Sequence, residues 1–181
     1  MLAKSDIEGS LYIYDTYSLS FGAGLLVVKA AEMIKEGKSI EEVFKALDEI
    51  KEKSVLMFSV DTLEYLKKGG RISSTKATVG SLLNIKPILE VKDRLASQVG
   101  QVRGKKNVFN KMVEYVNERL GEDIEQEEIY IGYSDDLKER DKLTELAKEV
   151  FKPKKIGCFL VGTCIGAHSG PGVGGILVFK K

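Results

Sequence analysis

Apolar positions along the chain switch between a spacing of two and a spacing of three to four, which predicts strands alternating with helices. Leu11–Tyr14 reads as a short strand closed by Asp15. The segment 22–35 carries Leu26, Ala30, Met33 and Ile34 at helical spacing, and Gly37 stops it. Ser39 and Glu42 have the spacing of a capping box ahead of Ile40, Val43, Phe44, Leu47 and Ile50, which share one helix face. Val55–Val60 reads as a strand. Asp61 and Glu64 repeat the capping spacing before a short helix that Gly69 and Gly70 end, and the hydroxyls Ser73, Ser74 and Thr75 can cap another helix reaching about Leu83. Lys86–Val91 and Ser97–Arg103 read as paired strands. A helix over 105–120 follows, with Val108, Phe109, Met112, Val116 and Leu120 inward. Ile129–Tyr133 is a strand, Asp136–Phe151 a helix, Ile156–Gly162 a buried strand and Gly175–Phe179 the last strand. The pattern predicts an α/β (α+β) fold with mixed sheet flanked by helices.

Composition narrows the class. A chain of 181 residues with 43% hydrophobic content can bury a core without disulfides or metal. Its 28 Lys and Arg nearly cancel 27 Asp and Glu, so no global field draws it to nucleic acid or to an acidic membrane. The longest weakly polar run, Ile156–Ala167, falls short of the roughly 18 residues a membrane span needs, and Met1–Ser10 lacks the apolar stretch of a secretory signal. Cys158 and Cys164, if on one extended strand, stand about 20 Å apart, beyond disulfide reach, so free thiols point to the cytoplasm. One His and two Cys do not supply a metal site, and no cofactor motif occurs.

Three stretches break the rhythm in ways that core packing does not require. In Asp15–Gly24, Ser18, Ser20, Gly22 and Gly24 join a strand to a helix. They either offer an anion site or form a turn with Ser20 as N-cap. In Gly69–Thr75, Arg71 stands between two helix ends beside Ile72 and Ser73. Its guanidinium suits a carboxylate or phosphate, or else caps the preceding helix. Gly166–Gly175 holds five glycines and the only His, His168, between two apolar strands, and is longer than a hairpin needs. It reads as a ligand-contacting loop or a purely structural one. No Ser/His/Asp order and no phosphate-loop Lys accompanies it.

The run from Asp61 through Gly69-Gly70-Arg71-Ile72-Ser73, followed by Leu82-Leu83-Asn84-Ile85-Lys86-Pro87-Ile88-Leu89, resembles the signature of the DegV family of bacterial fatty-acid-binding proteins. The spacing of Asp15, Ser20, Gly22 and Gly24, the pair Val102-Arg103 with Lys105-Lys106, and the stretch from Gly166 to Gly172 resemble further motifs of that family, in the same order. The resemblance implies a two-domain architecture that holds a long-chain fatty acid between its domains. It implies a carrier rather than an enzyme, presenting the acyl carboxylate to a fatty-acid kinase that supplies the ATP chemistry. Arg71, Arg103, His168 and Ser169 then surround the carboxylate and the partner-facing rim, with Ser20, Gly22, Ile72, Ser73, Gly170 and Gly172 as loop contacts. Ser169 stands where the family more often has Thr, and keeps the hydroxyl.

Family members are longer chains, so this one reads as N-terminally truncated. Residues 1–54 are expected to be a remnant of the N-terminal domain, a strand and two helices, and 55–181 a C-terminal α/β domain. A Ser/Thr pair that holds the carboxylate in the family is then absent, and an uncovered sheet edge favours a homodimer. Two other readings stay open: binding or processing of a small phosphorylated metabolite at Arg71, Arg103 and His168, and an interaction module in which the glycine stretch docks a partner.

Overall fold

The computed structural model describes residues 10–72, 84–92, 94–122 and 124–180. In chain order these form α1 (Ser20–Lys35), α2 (Ile40–Lys53), β1 (Ser54–Ser59), α3 (Glu64–Lys68), β2 (Ile85–Lys92), β3 (Leu95–Arg103), a 3-10 turn at Lys105–Asn107, α4 (Val108–Leu120), β4 (Glu128–Tyr133), α5 (Leu137–Phe151), β5 (Lys155–Leu160), α6 (Thr163–Ser169) and β6 (Gly174–Phe179). The helix expected from Ser73 lies outside the described residues.

The six strands make one sheet in the order β3-β2-β1-β6-β4-β5. Only β4 and β5 run parallel; every other neighbouring pair is antiparallel. Helices cover both faces, so the central strands are apolar nearly throughout. Successive side chains of β1 point opposite ways. Val55 and Met57 therefore join Ile129, Ile131, Ile176 and Val178 under α4 and α5, where Met112, Val116, Leu143 and Phe151 complete a dry core. Leu56 and Phe58 point to the other face. There α1 lays Phe21 and Leu25 on Leu56, Tyr130 and Leu177, and Leu66 of α3 packs with Phe58, Ala96 and Val173. Behind α1, α2 closes a smaller cluster of Leu26, Met33, Val43 and Leu47.

The capping box is formed at α2: Glu42 N–H donates to Ser39 Oγ, and Ser39 N–H to the Glu42 carboxylate. Asp136 caps α5 through the N–H groups of Lys138 and Glu139.

Five expectations are corrected. Leu11–Tyr14 is not a strand. It has no strand neighbour, and Tyr14 instead rests on Phe44 and donates to Asp48. Ser20 is not an N-cap: it is the first helical residue of α1, at φ 51, and Leu19 precedes it without a side-chain cap. Asp61 does not cap α3, because its carboxylate is taken by Lys86 at 2.5 Å, and Thr62 Oγ1 accepts from Glu64 N–H instead. The strand β5 is not buried; it is the sheet's outer strand beyond β4, with Leu160 65% exposed. The stretch 166–175 is not one loop, since α6 claims it up to Ser169 and leaves Gly170–Val173 as the connection to β6.

Candidate functional site

On the α1 side of the sheet the packing leaves a cavity of about 370 Å³. Its floor is Leu56 and Phe58 of β1 with Ala96 of β3. Leu19, Ser20 and Phe21 form one wall, Leu66 another, and Val161, Cys164, Ile165, His168 and Ser169 the third, with Arg71 and Arg94 also on the lining. The walls are therefore apolar, and the polar groups are two guanidiniums, an imidazole, a thiol and two hydroxyls.

Local sequence explains how Arg71 reaches this place. α3 ends in a Schellman motif: Gly70 takes φ 65, its N–H donates to Lys67 O, and Arg71 N–H donates to Leu66 O. A residue with a Cβ disfavours that left-handed turn. The chain then continues through Ile72, which bridges Ala96 of β3, so Arg71 is pinned between α3 and the sheet. Its guanidinium donates to Gly69 O at 2.7 Å, a cap on its own helix end, and stays exposed.

His168 and Ser169 occupy the last turn of α6. The His168 ring lies against Gly69, where a Cβ would come within 2.5 Å of Nδ1. Ser169 is buried and its Oγ donates to Gly170 O. The two stretches that looked unrelated in sequence, Gly69–Arg71 and Gly166–Gly170, thus meet at the cavity wall.

Other expected residues fall elsewhere. Gly22, in the first turn of α1, is buried against Ser18 and Leu56 and lines a separate small cleft. The Tyr65 ring covers Gly170, and Gly172 rests on the Asp61 carboxylate with its N–H donated to Asp135. Ser73 lies outside the described residues. Arg103 ends β3, exposed and off the cavity lining; seven residues past Ala96 along a strand is roughly 20 Å or more.

Sequence reasoning missed Arg94 and the apolar lining. Arg94 sits in the turn between β2 and β3 and donates from Nε and Nη2 to one oxygen of Asp15, at 3.0 and 2.5 Å. That guanidinium, with the Tyr17 N–H on the other oxygen, holds the Asp15 carboxyl below its ordinary range. Among the described residues no group of His, Cys, Asp and Glu could hold a metal ion.

The sequence profile of the DegV family, described as uncharacterised, matches residues 1–181. The chain belongs to the DegV family. A DegV domain-containing protein of Clostridium perfringens is 38% identical over 173 residues, covering 95% of this chain and 58% of its own length. Among solved structures, a DegV lipid-binding protein from Thermotoga maritima superposes with TM-score 0.85 at 27% identity, over 98% of this chain and 62% of that one. A DegV family protein from Thermus thermophilus, described for its fatty-acid binding, gives 0.85 at 30% identity, over 99% and 64%. The mixed sheet flanked by helices is the fold of those DegV structures. The chain spans about three-fifths of the length of the curated relatives it matches. No helix among the described residues is long and apolar enough to cross a membrane.

Proposed function

We propose that this DegV chain holds a long-chain fatty acid, with the tail in the cavity and the carboxylate at Arg71, His168 and Ser169. It presents that carboxylate to a cytoplasmic fatty-acid kinase and performs no chemistry of its own. The observation that carries the reading is the cavity itself: an apolar chamber of about 370 Å³ whose lining also holds cationic and hydroxyl groups. Each methylene moved from water into apolar surroundings contributes about 0.8 kcal/mol, so the tail supplies the affinity. A carboxylate leaving water needs hydrogen bonds or positive charge, and the Arg71 fork meets that need, joined by the Ser169 hydroxyl once it turns away from Gly170 O. Solved DegV relatives described as lipid- or fatty-acid-binding support it.

Binding of a small phosphorylated metabolite requires Arg71, Arg103 and His168 at one anion, and the length of β3 separates Arg103 from the other two. Arg103, exposed beside Lys105 and Lys106, instead suits the kinase-facing rim.

Native mass spectrometry of the purified chain, followed by lipid extraction, tests the reading: a stoichiometric fatty acid is expected. Arg71→Ala should weaken oleate binding about tenfold, the worth of a hydrogen bond to a charged group, and lower kinase turnover, with an unchanged melting temperature. A folded chain that carries no lipid and takes up none overturns it.

A further inference from the structure

Two guanidiniums line the cavity among the described residues, and the fatty-acid reading uses only Arg71. The other, Arg94, is committed to Asp15, a residue 79 positions away in sequence. We propose that Arg94 is a second anion-binding residue of the cavity, and that Asp15 occupies it until an anionic acyl ligand competes for it. The proposal rests on the fatty-acid reading and concerns which charge the cavity selects.

The geometry around Asp15 joins this pair to the cavity wall. One carboxylate oxygen accepts from Tyr17 N–H at 2.9 Å and the other takes Arg94, so a single side chain ties its own turn to the β2–β3 turn. The Arg94 guanidinium also lies 4.0 Å from the centre of the Tyr17 ring. Tyr14 anchors the start of the segment through Asp48, and Lys51 stands 5.1 Å from the Tyr17 ring. The segment then runs into Leu19, Ser20 and Phe21, which are cavity wall. Tyr17 and Ser20 both hold positive φ, at 49 and 51, a conformation that side chains with a Cβ disfavour. Asp15 and Arg94 are both more than half exposed, so their pairing is weak enough to exchange. Nε and Nη2 of Arg94 share one oxygen of Asp15, so an incoming carboxylate competes with Asp15 for the same donors.

Charge decides the consequence. An arriving carboxylate meets Asp15 as a like charge and Arg94 as its counter-ion, whereas a neutral headgroup meets no such competition. Removing the Asp15 charge should therefore favour anions selectively, and only while Arg94 is present.

Calorimetric titration of wild type, Asp15→Asn, Arg94→Gln and the double variant, with oleate and with oleyl alcohol as a neutral probe, tests this. Asp15→Asn should tighten oleate about threefold, the scale of an exposed ion pair, and leave oleyl alcohol unchanged. Arg94→Gln should weaken oleate several-fold, and in the double variant the gain from Asp15→Asn should vanish. Oleate affinity insensitive to Asp15→Asn, or an equal gain for the alcohol, overturns the competition while leaving the fatty-acid reading in place. Failure of every chain to bind either probe overturns both. In the ligand-free chain, Asp15→Asn should also speed amide exchange over residues 16–22 about threefold. Unchanged exchange there overturns the tie between Asp15 and the wall.

Discussion

The two faces of the sheet are built from the same strands and end in opposite states. Under α4 and α5, two long amphipathic helices bring Met112, Val116, Leu143 and Phe151 onto Met57, Ile129, Ile131 and Ile176, all of them essentially without exposure. On the other face α1 lies beside two short helices, the five-residue α3 and the seven-residue α6, and the cavity remains between them. Strand alternation supplies apolar side chains equally to both sides. What differs is how the helix above them is divided, 13 and 15 residues on one face against one helix of 16 and two of 5 and 7 on the other, so the void follows from the shortness of individual elements rather than from a shortage of hydrophobic residues.

The largest effect that can break this comparison is a truncation made once on each face. Met112→Ala, on the filled face, should cost about 3 kcal/mol, because its neighbours cannot collapse into the gap. Leu66→Ala, on the cavity face, should cost roughly half as much, since part of that side chain already meets empty space and forfeits fewer contacts. Urea titrations of the two variants check this. Equal losses would mean that the cavity face is as tightly packed as the other.

A smaller effect comes from filling the void instead of enlarging a gap. Gly132 of β4 pairs across the sheet with Gly175 of β6, and the Phe21 ring lies directly on Gly132 where a Cβ would stand. Without a side chain at 132, Phe21 can settle on the sheet and bound the cavity instead of occupying it. Gly132→Val should push the ring into the chamber, costing about 1–2 kcal/mol of stability from overpacking and weakening oleate about tenfold or more. A paired measurement of melting temperature and oleate affinity separates the two consequences. Lost stability with intact affinity would show that Phe21 moves away from the chamber.

The filled face was largely legible in the sequence, and the cavity face was not. Ser39 with Glu42, the run Val108 to Leu120 and the alternation in β1 are local patterns, and local patterns survive into the structure. β5 was misread because Ile156, Phe159 and Leu160 look alike in a central strand and in an outer one; only strand order decides which, and strand order is a long-range property. α6 was hidden by its glycine-rich surroundings, which argue against a helix that packing on α3 sustains. Arg71, His168 and Ser169 could be named from their motifs. That Gly69 and His168 touch, or that Asp15 finds Arg94, depends on contacts between distant segments which no spacing encodes.

The smallest effect lies at the seam between the two faces, in the turn that leads from Ser169 into β6. Asp135, at the end of β4, accepts from Gly172 N–H at 3.0 Å, and neighbouring Ser134 Oγ accepts from Val173 N–H at 3.0 Å. The hydrogen bond from Ser134, then that from Gly172, holds the Asp135 carboxyl below its ordinary range. A carboxyl whose folded-state pKa is depressed stabilises the fold above the unfolded value, near 4, and that contribution disappears as pH falls through the folded-state value. Asp135→Asn should therefore lower stability at neutral pH by only a few tenths of a kcal/mol, since the group is exposed and solvent-screened, and by nothing measurable once the pH has fallen below the folded-state value. Melting curves of both chains across that range are the check. A difference that persists in acid would mean that the asparagine disturbs the turn by shape rather than by charge. Oleate affinity should weaken in the neutral range only if the turn also fixes His168 and Ser169.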